Sequence, residues 1–155
     1  MKIGDIDRAL IALFRTVSIP LARFAIFTVY VWFGALKVFG LSPAAPLVHH
    51  MFDRTIGDWV AFDPFMVAFG LAEVVIGVLI LFPSATRVAI PLIFLHMLTT
   101  AMPLVFLPGE AWDGFMIPTL EGQYIIKNLL IVACSTSIVA EMVPLRDRSG
   151  IPLDG

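Results

Sequence analysis

The chain has 155 residues, of which 59% are hydrophobic and 14% are charged, and its mean hydropathy is +0.96. A soluble globular domain carries about 25% charged residues, so this composition predicts an integral membrane protein with a single domain. The formal net charge is −2, so the chain lacks the excess of basic residues that is typical of nucleic-acid-binding proteins. We therefore expect no nucleic-acid partner. The single cysteine, Cys134, excludes an intramolecular disulfide.

Residues 1–18 carry apolar side chains at helical spacing, with most of their charged side chains on other faces. This pattern predicts an amphipathic helix that lies on the membrane surface. The alternative is a solvated segment that only extends the first membrane span. The apolar positions are Ile3, Ile6, Leu10, Leu13, Phe14 and Val17.

Four apolar segments follow, each near the length of about 20 residues that a helix needs to cross a bilayer. We place these spans at about 19–39, 64–82, 87–107 and 123–143, followed by a short cytoplasmic tail at 144–155. Pro20 is expected to open the first helix, since a proline in the first turn loses no helical hydrogen bond. The predicted fold is all-α, a four-transmembrane-helix bundle in one membrane domain over residues 19–143.

The connection at 40–63 is too short and too charged to span the membrane. Its apolar anchors predict an interfacial or re-entrant half-helix in this first outer loop, with Trp59 at the level of the lipid headgroups. Residues 108–122 contain two prolines and three glycines and are predicted to form a loop. Trp112 and Phe115 are expected to anchor that loop at the interface.

Basic residues indicate the orientation, because cytoplasmic loops carry an excess of Lys and Arg. Seven of them fall on the side of the two termini, and the opposite side carries mostly acids. Both termini are therefore expected in the cytoplasm, with the protein in the inner (plasma) membrane. The seven are Lys2, Arg8, Arg15, Arg23, Arg87, Arg146 and Arg148.

Glu73 lies near the middle of the second span, where a carboxylate costs about 2.5–3.5 kcal/mol on insertion scales. Such a residue has to be paired with a base or protonated. At a rise of about 1.5 Å per residue, His96 in the third span lies at a similar depth. Lys127 in the fourth span and Lys37 at the end of the first are shallower. We expect Glu73 to reach His96 sideways and Lys127 obliquely.

The start of the fourth span carries two polar pairs at helical spacing, Gln123 with Lys127 and Tyr124 with Asn128. We predict that this polar stripe faces the interior of the bundle. The candidate catalytic residues are therefore Glu73 and His96, and the candidate ligand-binding residues are Lys37, Gln123, Tyr124, Lys127 and Asn128. The alternative is purely structural, since buried polar groups join membrane helices at about 0.6 kcal/mol each.

Metal and haem sites are not indicated. His49 and Asp53 share a helical face, but a closed zinc site needs four ligands. His96 is the only histidine inside a span, which argues against axial haem ligation. We expect no metal.

Three blocks of the sequence resemble a known family. The first span ends in YVWFGALKVFG, the third contains LHMLTTAMPLVFLPGE and the fourth opens with TLEGQYIIKNLLIV. With the glutamate inside the second span, they resemble the DoxX-like superfamily, in particular the YkgB/RclC-type small membrane proteins, over about residues 20–143. The resemblance implies a four-helix membrane bundle. It also implies a polar core at Lys37, Glu73, Gln123, Lys127 and Asn128, with His96 as the third-span histidine.

The same resemblance implies a role in quinone-coupled oxidation, in oxidative-stress resistance or in the assembly of partner proteins. Our leading hypothesis is an inner-membrane protein that binds a quinone-like or other small ligand, with the lysines holding oxygens and Glu73 and His96 exchanging protons. A second hypothesis is a non-catalytic subunit that docks a membrane or periplasmic protein. A small transporter is the third, and it would require a homo-oligomer.

Overall fold

The computed structural model describes residues 3–144, and these residues are almost entirely helical. The helices are α1 (Ile3–Val38), α2 (Ala45–Asp53), α3 (Phe62–Leu81), α4 (Thr86–Ala101), α5 (Pro103–Phe106), α6 (Pro108–Ala111), α7 (Leu120–Lys127) and α8 (Leu129–Ala140). A 3₁₀ turn at Pro83–Ala85 joins α3 to α4, and a small antiparallel hairpin of β1 (Trp112–Gly114) and β2 (Ile117–Pro118) precedes α7.

Four helical segments are long and apolar enough to cross a membrane, which confirms the predicted all-α, four-span fold. They cover Ile3–Val38, Phe62–Leu81, Pro83–Phe106 and Leu120–Ala140. The chain is therefore a multi-pass membrane protein. We call the end of the bundle that carries the 3₁₀ turn the turn end, and the end that carries the connections at 39–61 and 107–119 the loop end.

The first span and the segment before it form one continuous helix, α1. Pro20 lies inside this helix, so the prediction that Pro20 begins a helix is wrong. Residues 3–18 are exposed along their whole length and extend beyond the part of α1 that packs on α3. Their placement on the membrane surface stays a prediction.

The third and fourth spans are each built from two helices. Met102 separates α4 from α5, because Pro103 has no N–H with which to continue the helix. The hydroxyls of Thr99 and Thr100 donate to main-chain carbonyls one turn back. Asn128 separates α7 from α8, and its carbonyl accepts hydrogen bonds from the N–H groups of Ile131 and Val132. The third span is therefore interrupted at Met102 and the fourth at Asn128.

The loop end is more ordered than the sequence indicates. The predicted half-helix corresponds to α2, which is held by Arg54 Nη1 donating to the carbonyl of Phe106 at 2.9 Å. The segment predicted as loop, 108–122, instead contains α6 and the β1–β2 hairpin. Trp112 Nε1 donates to the carbonyl of Leu104 at 2.9 Å, and Trp59 is exposed. The predicted tail lies outside the described residues from 145 onward.

Arg23 has a protein partner at the turn end. Its Nη1 donates to the carbonyl of Ile80 at 2.6 Å and to Thr86 Oγ1 at 2.7 Å. The last carbonyls of a helix have no intrahelical partner, so Arg23 satisfies the C-terminus of α3. This bond joins α1, α3 and the start of α4, and an apolar core of isoleucines lies next to it: Ile26, Ile76, Ile80, Ile90, Ile93, Ile131 and Ile138.

Two glycines allow α1 and α3 to pack backbone against backbone. A Cβ added to Gly34 would lie 2.7 Å from the carbonyl oxygen of Gly70, and a Cβ added to Gly70 would lie 2.6 Å from that of Gly34. Small residues permit this close approach of membrane helices. The contact fixes the register of the two antiparallel helices.

We therefore expect Gly70→Ala to separate α1 from α3 and to lower the free energy of unfolding by about 1–3 kcal/mol, the usual range for overpacking. Thermal unfolding in detergent measures this loss. Gly4→Ala is the matched control, because Gly4 lies in the exposed part of α1 with no atom within 4 Å of the added Cβ. An equal effect of the two substitutions would contradict the close contact.

Candidate functional site

A buried ion pair joins the first two spans. Lys37 Nζ donates to Glu73 Oε1 at 2.9 Å and to Oε2 at 2.7 Å. The two side chains are only 8% and 5% exposed. Because both charges lie among helices suited to a membrane, neither has bulk water to solvate it, and each depends on the other for stabilisation.

The third span adds a histidine to this pair. His96 Nε2 lies 2.8 Å from Glu73 Oε1, and its other ring nitrogen, Nδ1, lies 3.1 Å from the hydroxyl of Tyr30. Tyr30 is 3% exposed. The four side chains form one unbroken hydrogen-bonded chain across α1, α3 and α4, which we call the polar chain: Tyr30, His96, Glu73 and Lys37.

The bonding pattern of the heavy atoms fits an assignment of protons that satisfies every link of the polar chain. An ammonium on Lys37 donates to both oxygens of an ionised Glu73. A neutral His96 with its proton on Nε2 donates to Oε1, and its free Nδ1 accepts the hydroxyl proton of Tyr30. The polar chain then carries no net charge, which suits a site of low dielectric constant.

An aromatic side chain borders the polar chain on α3. The ring centroid of Phe69 lies 5.5 Å from Lys37 Nζ and 5.3 Å from the centroid of the His96 ring. The ammonium is thus attracted by a ring face as well as by the carboxylate.

The glycine contact between α1 and α3 positions the ion pair. Lys37 and Glu73 each lie three residues after a contact glycine, Gly34 and Gly70, and so on nearly the same helical face as that glycine. A Cβ on Gly70 would lie 2.8 Å from the Cβ of Lys37. The close approach of the two backbones therefore brings the ammonium and the carboxylate into direct contact.

The structure brings some of the predicted site residues together and separates others. Glu73, His96 and Lys37 meet, and the partner of Glu73 is Lys37, not Lys127. The predicted orientation of the stripe on the fourth span is wrong. Gln123, Tyr124 and Lys127 are exposed on the outside of α7, and Asn128 is half-buried.

Sequence reasoning missed two members of the site, Tyr30 and Phe69. Tyr30 lies seven residues before Lys37, and this spacing places both on one helical face. Phe69 lies four residues before Glu73, which likewise indicates a neighbour one turn away. Both signals were present in the sequence, but apolar rings are common in every span, so the spacing does not single them out.

The histidines of the loop end form separate pairs. His50 Nδ1 lies 2.9 Å from Glu110 Oε1, and His49 Nε2 lies 3.7 Å from Asp53 Oδ1. Among residues 3–144, no group of three or more His, Cys, Asp or Glu side chains is placed to hold a metal ion. Two open grooves, of about 510 and 230 Å³, lie between α1 and α8 and beside Pro46, away from the polar chain.

Comparisons of this chain with protein-family models, with curated proteins and with solved structures find no match. Function is therefore inferred from the residues and from the geometry of the polar chain.

Single substitutions in the ion pair are expected to destabilise the protein more than removal of both charges does. Lys37→Met leaves a buried carboxylate and Glu73→Leu leaves a buried ammonium, each at a cost of about 3–5 kcal/mol. The double variant leaves neither charge, and we expect it to recover most of that loss. Thermal unfolding of the three variants in one detergent measures the difference.

The control is Glu121→Gln, which removes an exposed carboxylate at the loop end and is expected to change stability by less than about 0.5 kcal/mol. Additive losses in the double variant would mean that the two side chains do not interact.

Proposed function

We propose that this protein exchanges protons with a small redox-active ligand, a quinone, through the polar chain. The observation that carries the proposal is the unbroken series of hydrogen bonds from Tyr30 to Lys37 inside the membrane-spanning part of the bundle. Ionisable residues within membrane spans are rare, and they mark substrate and ion pathways and proton relays.

His96 is the residue that makes a relay chemically possible. A proton arriving at Nδ1 allows the Nε2 proton to leave toward Glu73, because an imidazole binds and releases protons at two different atoms. Glu73 then holds the proton on the oxygen that it already presents to His96. Lys37 stabilises the carboxylate between transfers and offers an ammonium to a carbonyl or phenolate oxygen.

The overall reaction has to balance in protons and electrons. Reduction of a quinone to a quinol takes up two protons and two electrons. The sequence contains no motif for a redox cofactor, so we assign proton transfer to this chain and electron transfer to a partner donor protein. The ligand is expected to enter between the helices from the lipid, where quinones dissolve.

Location in the inner membrane with both termini in the cytoplasm is part of the same proposal. Its support is the excess of basic residues on the side of the termini. The loop end would then face outward. Membership of the DoxX-like superfamily belongs to the proposal too, and its support is the three sequence blocks.

Purified protein in lipid nanodiscs, loaded with a short-chain ubiquinone analogue, tests the proposal. The bound quinone is reduced by pre-reduced methyl viologen, which releases no protons when it is oxidised, and the uptake of protons is followed at the same time with a pH dye. We expect Glu73→Gln to slow proton uptake by about a hundredfold or more, the lower range for loss of a positioned acid–base group. Glu121→Gln is expected to behave as the wild type.

Absence of quinone binding by the wild-type protein would overturn the proposal. Equal rates of proton uptake in the wild type and in Glu73→Gln would remove Glu73 from the mechanism.

A second candidate function is that of a non-catalytic subunit that docks another protein. The observation in its favour is the pair of aromatic side chains at the loop end, Trp59 and Phe115, which are 87% and 96% exposed. In this case the polar chain only stabilises the packing of the helices. Co-purification in a mild detergent distinguishes the two functions. A stoichiometric partner that is lost in the double variant Trp59→Ala/Phe115→Ala, without any bound quinone, supports the docking function.

A further inference from the structure

We propose that the outer face of α7 binds the headgroup of an anionic phospholipid through Lys127, Tyr124 and Gln123. All three side chains are exposed on a segment that is long and apolar enough to cross the membrane. A cation on such a surface is unfavourable unless an anion or water reaches it. This site shares no residue with the polar chain, so it stands or fails separately from the proposed function.

No side chain of the described chain neutralises Lys127. None of the ion pairs within residues 3–144 includes Lys127. Its Nζ instead lies 5.1 Å from the centroid of the Tyr124 ring. The aromatic ring attracts the ammonium but does not cancel its charge. A negatively charged partner therefore has to come from outside this part of the chain.

The direction of the side chain points to the lipid interface. Helical side chains tilt toward the N-terminus of their helix, and α7 begins at the loop end. Lys127 lies seven residues into the span that starts at Leu120, which is about 10 Å at 1.5 Å per residue. A lysine stem can extend from that depth to the headgroups, and the contact with Tyr124, one turn nearer the loop end, shows that it extends that way.

The surface matches the two parts of a phospholipid. On the loop-end side, the ammonium of Lys127, the amide of Gln123 and the hydroxyl of Tyr124 are hydrogen-bond donors for phosphate oxygens. On the other side, Leu129 and Leu130 are 68% and 69% exposed and follow directly along the chain. The donors would hold the phosphate, and the leucines would lie against the acyl chains.

A second copy of the chain is a poorer occupant of this face. In a two-fold symmetric dimer the same patch meets itself, so Lys127 of one copy would lie near Lys127 of the other. Two like charges opposed in a membrane interface disfavour that arrangement. Charge complementarity thus favours an anionic lipid.

Native mass spectrometry of the purified full-length protein tests the site. The probes are phosphatidylglycerol and phosphatidylcholine with identical acyl chains, added in matched amounts. We expect the wild type to bind phosphatidylglycerol about fivefold more tightly, the usual contribution of one lysine near an anionic headgroup. Lys127→Gln is expected to lose this preference, and Lys127→Arg is expected to keep it because the charge remains.

Arg15→Gln is the matched control, since it removes one exposed cation from the opposite end of the protein and is expected to keep the preference. Three results would overturn the proposal: no preference in the wild type, an unchanged preference in Lys127→Gln, or an equal loss in Arg15→Gln. A dimer of the wild type that disappears in Lys127→Gln regardless of the lipid would also overturn it, in favour of a second copy.

Discussion

The ion pair between Lys37 and Glu73 is the constraint on which the rest of the bundle depends. Two opposite charges that lie away from water stabilise each other only at short range and with correct geometry, and here both carboxylate oxygens are bonded at 2.7–2.9 Å. The backbone contact of Gly34 with Gly70 provides that short range. The helices α1 and α3 therefore have little freedom to slide or rotate, and α4 is added to this pair through His96.

Much of the fold follows from the sequence, but the rotation of one helix does not. Apolar length identifies the four spans, and counting residues from their ends places Glu73 level with His96. The same counting makes Lys127 a plausible partner of Glu73. The depth of a residue does not determine the direction in which its side chain points around the helix axis. The rotation of α7 about its own axis depends on its packing at the loop end and on the helix break at Asn128.

The choice of Lys37 as the partner depends on a feature that hydropathy does not reveal. Only the close packing of two glycines brings the end of α1 near the middle of α3, so a lysine expected near the membrane surface reaches a carboxylate at depth. Tyr30 was missed for a related reason, since its hydroxyl is identified as functional only after His96 is placed beside it. The sequence shows which side chains can ionise or form hydrogen bonds, but it does not show how each helix is rotated about its axis.

The ion pair is tested most directly by measuring the protonation state of Glu73 inside the bundle. An infrared difference spectrum between the wild type and Glu73→Gln in nanodiscs isolates the signal of that single side chain. If Glu73 is paired with Lys37, the lost bands are the two stretches of an ionised carboxylate, and Lys37→Met shifts them. Loss of the carbonyl stretch of a protonated acid, unaffected by Lys37→Met, would contradict the ion pair and with it the polar chain.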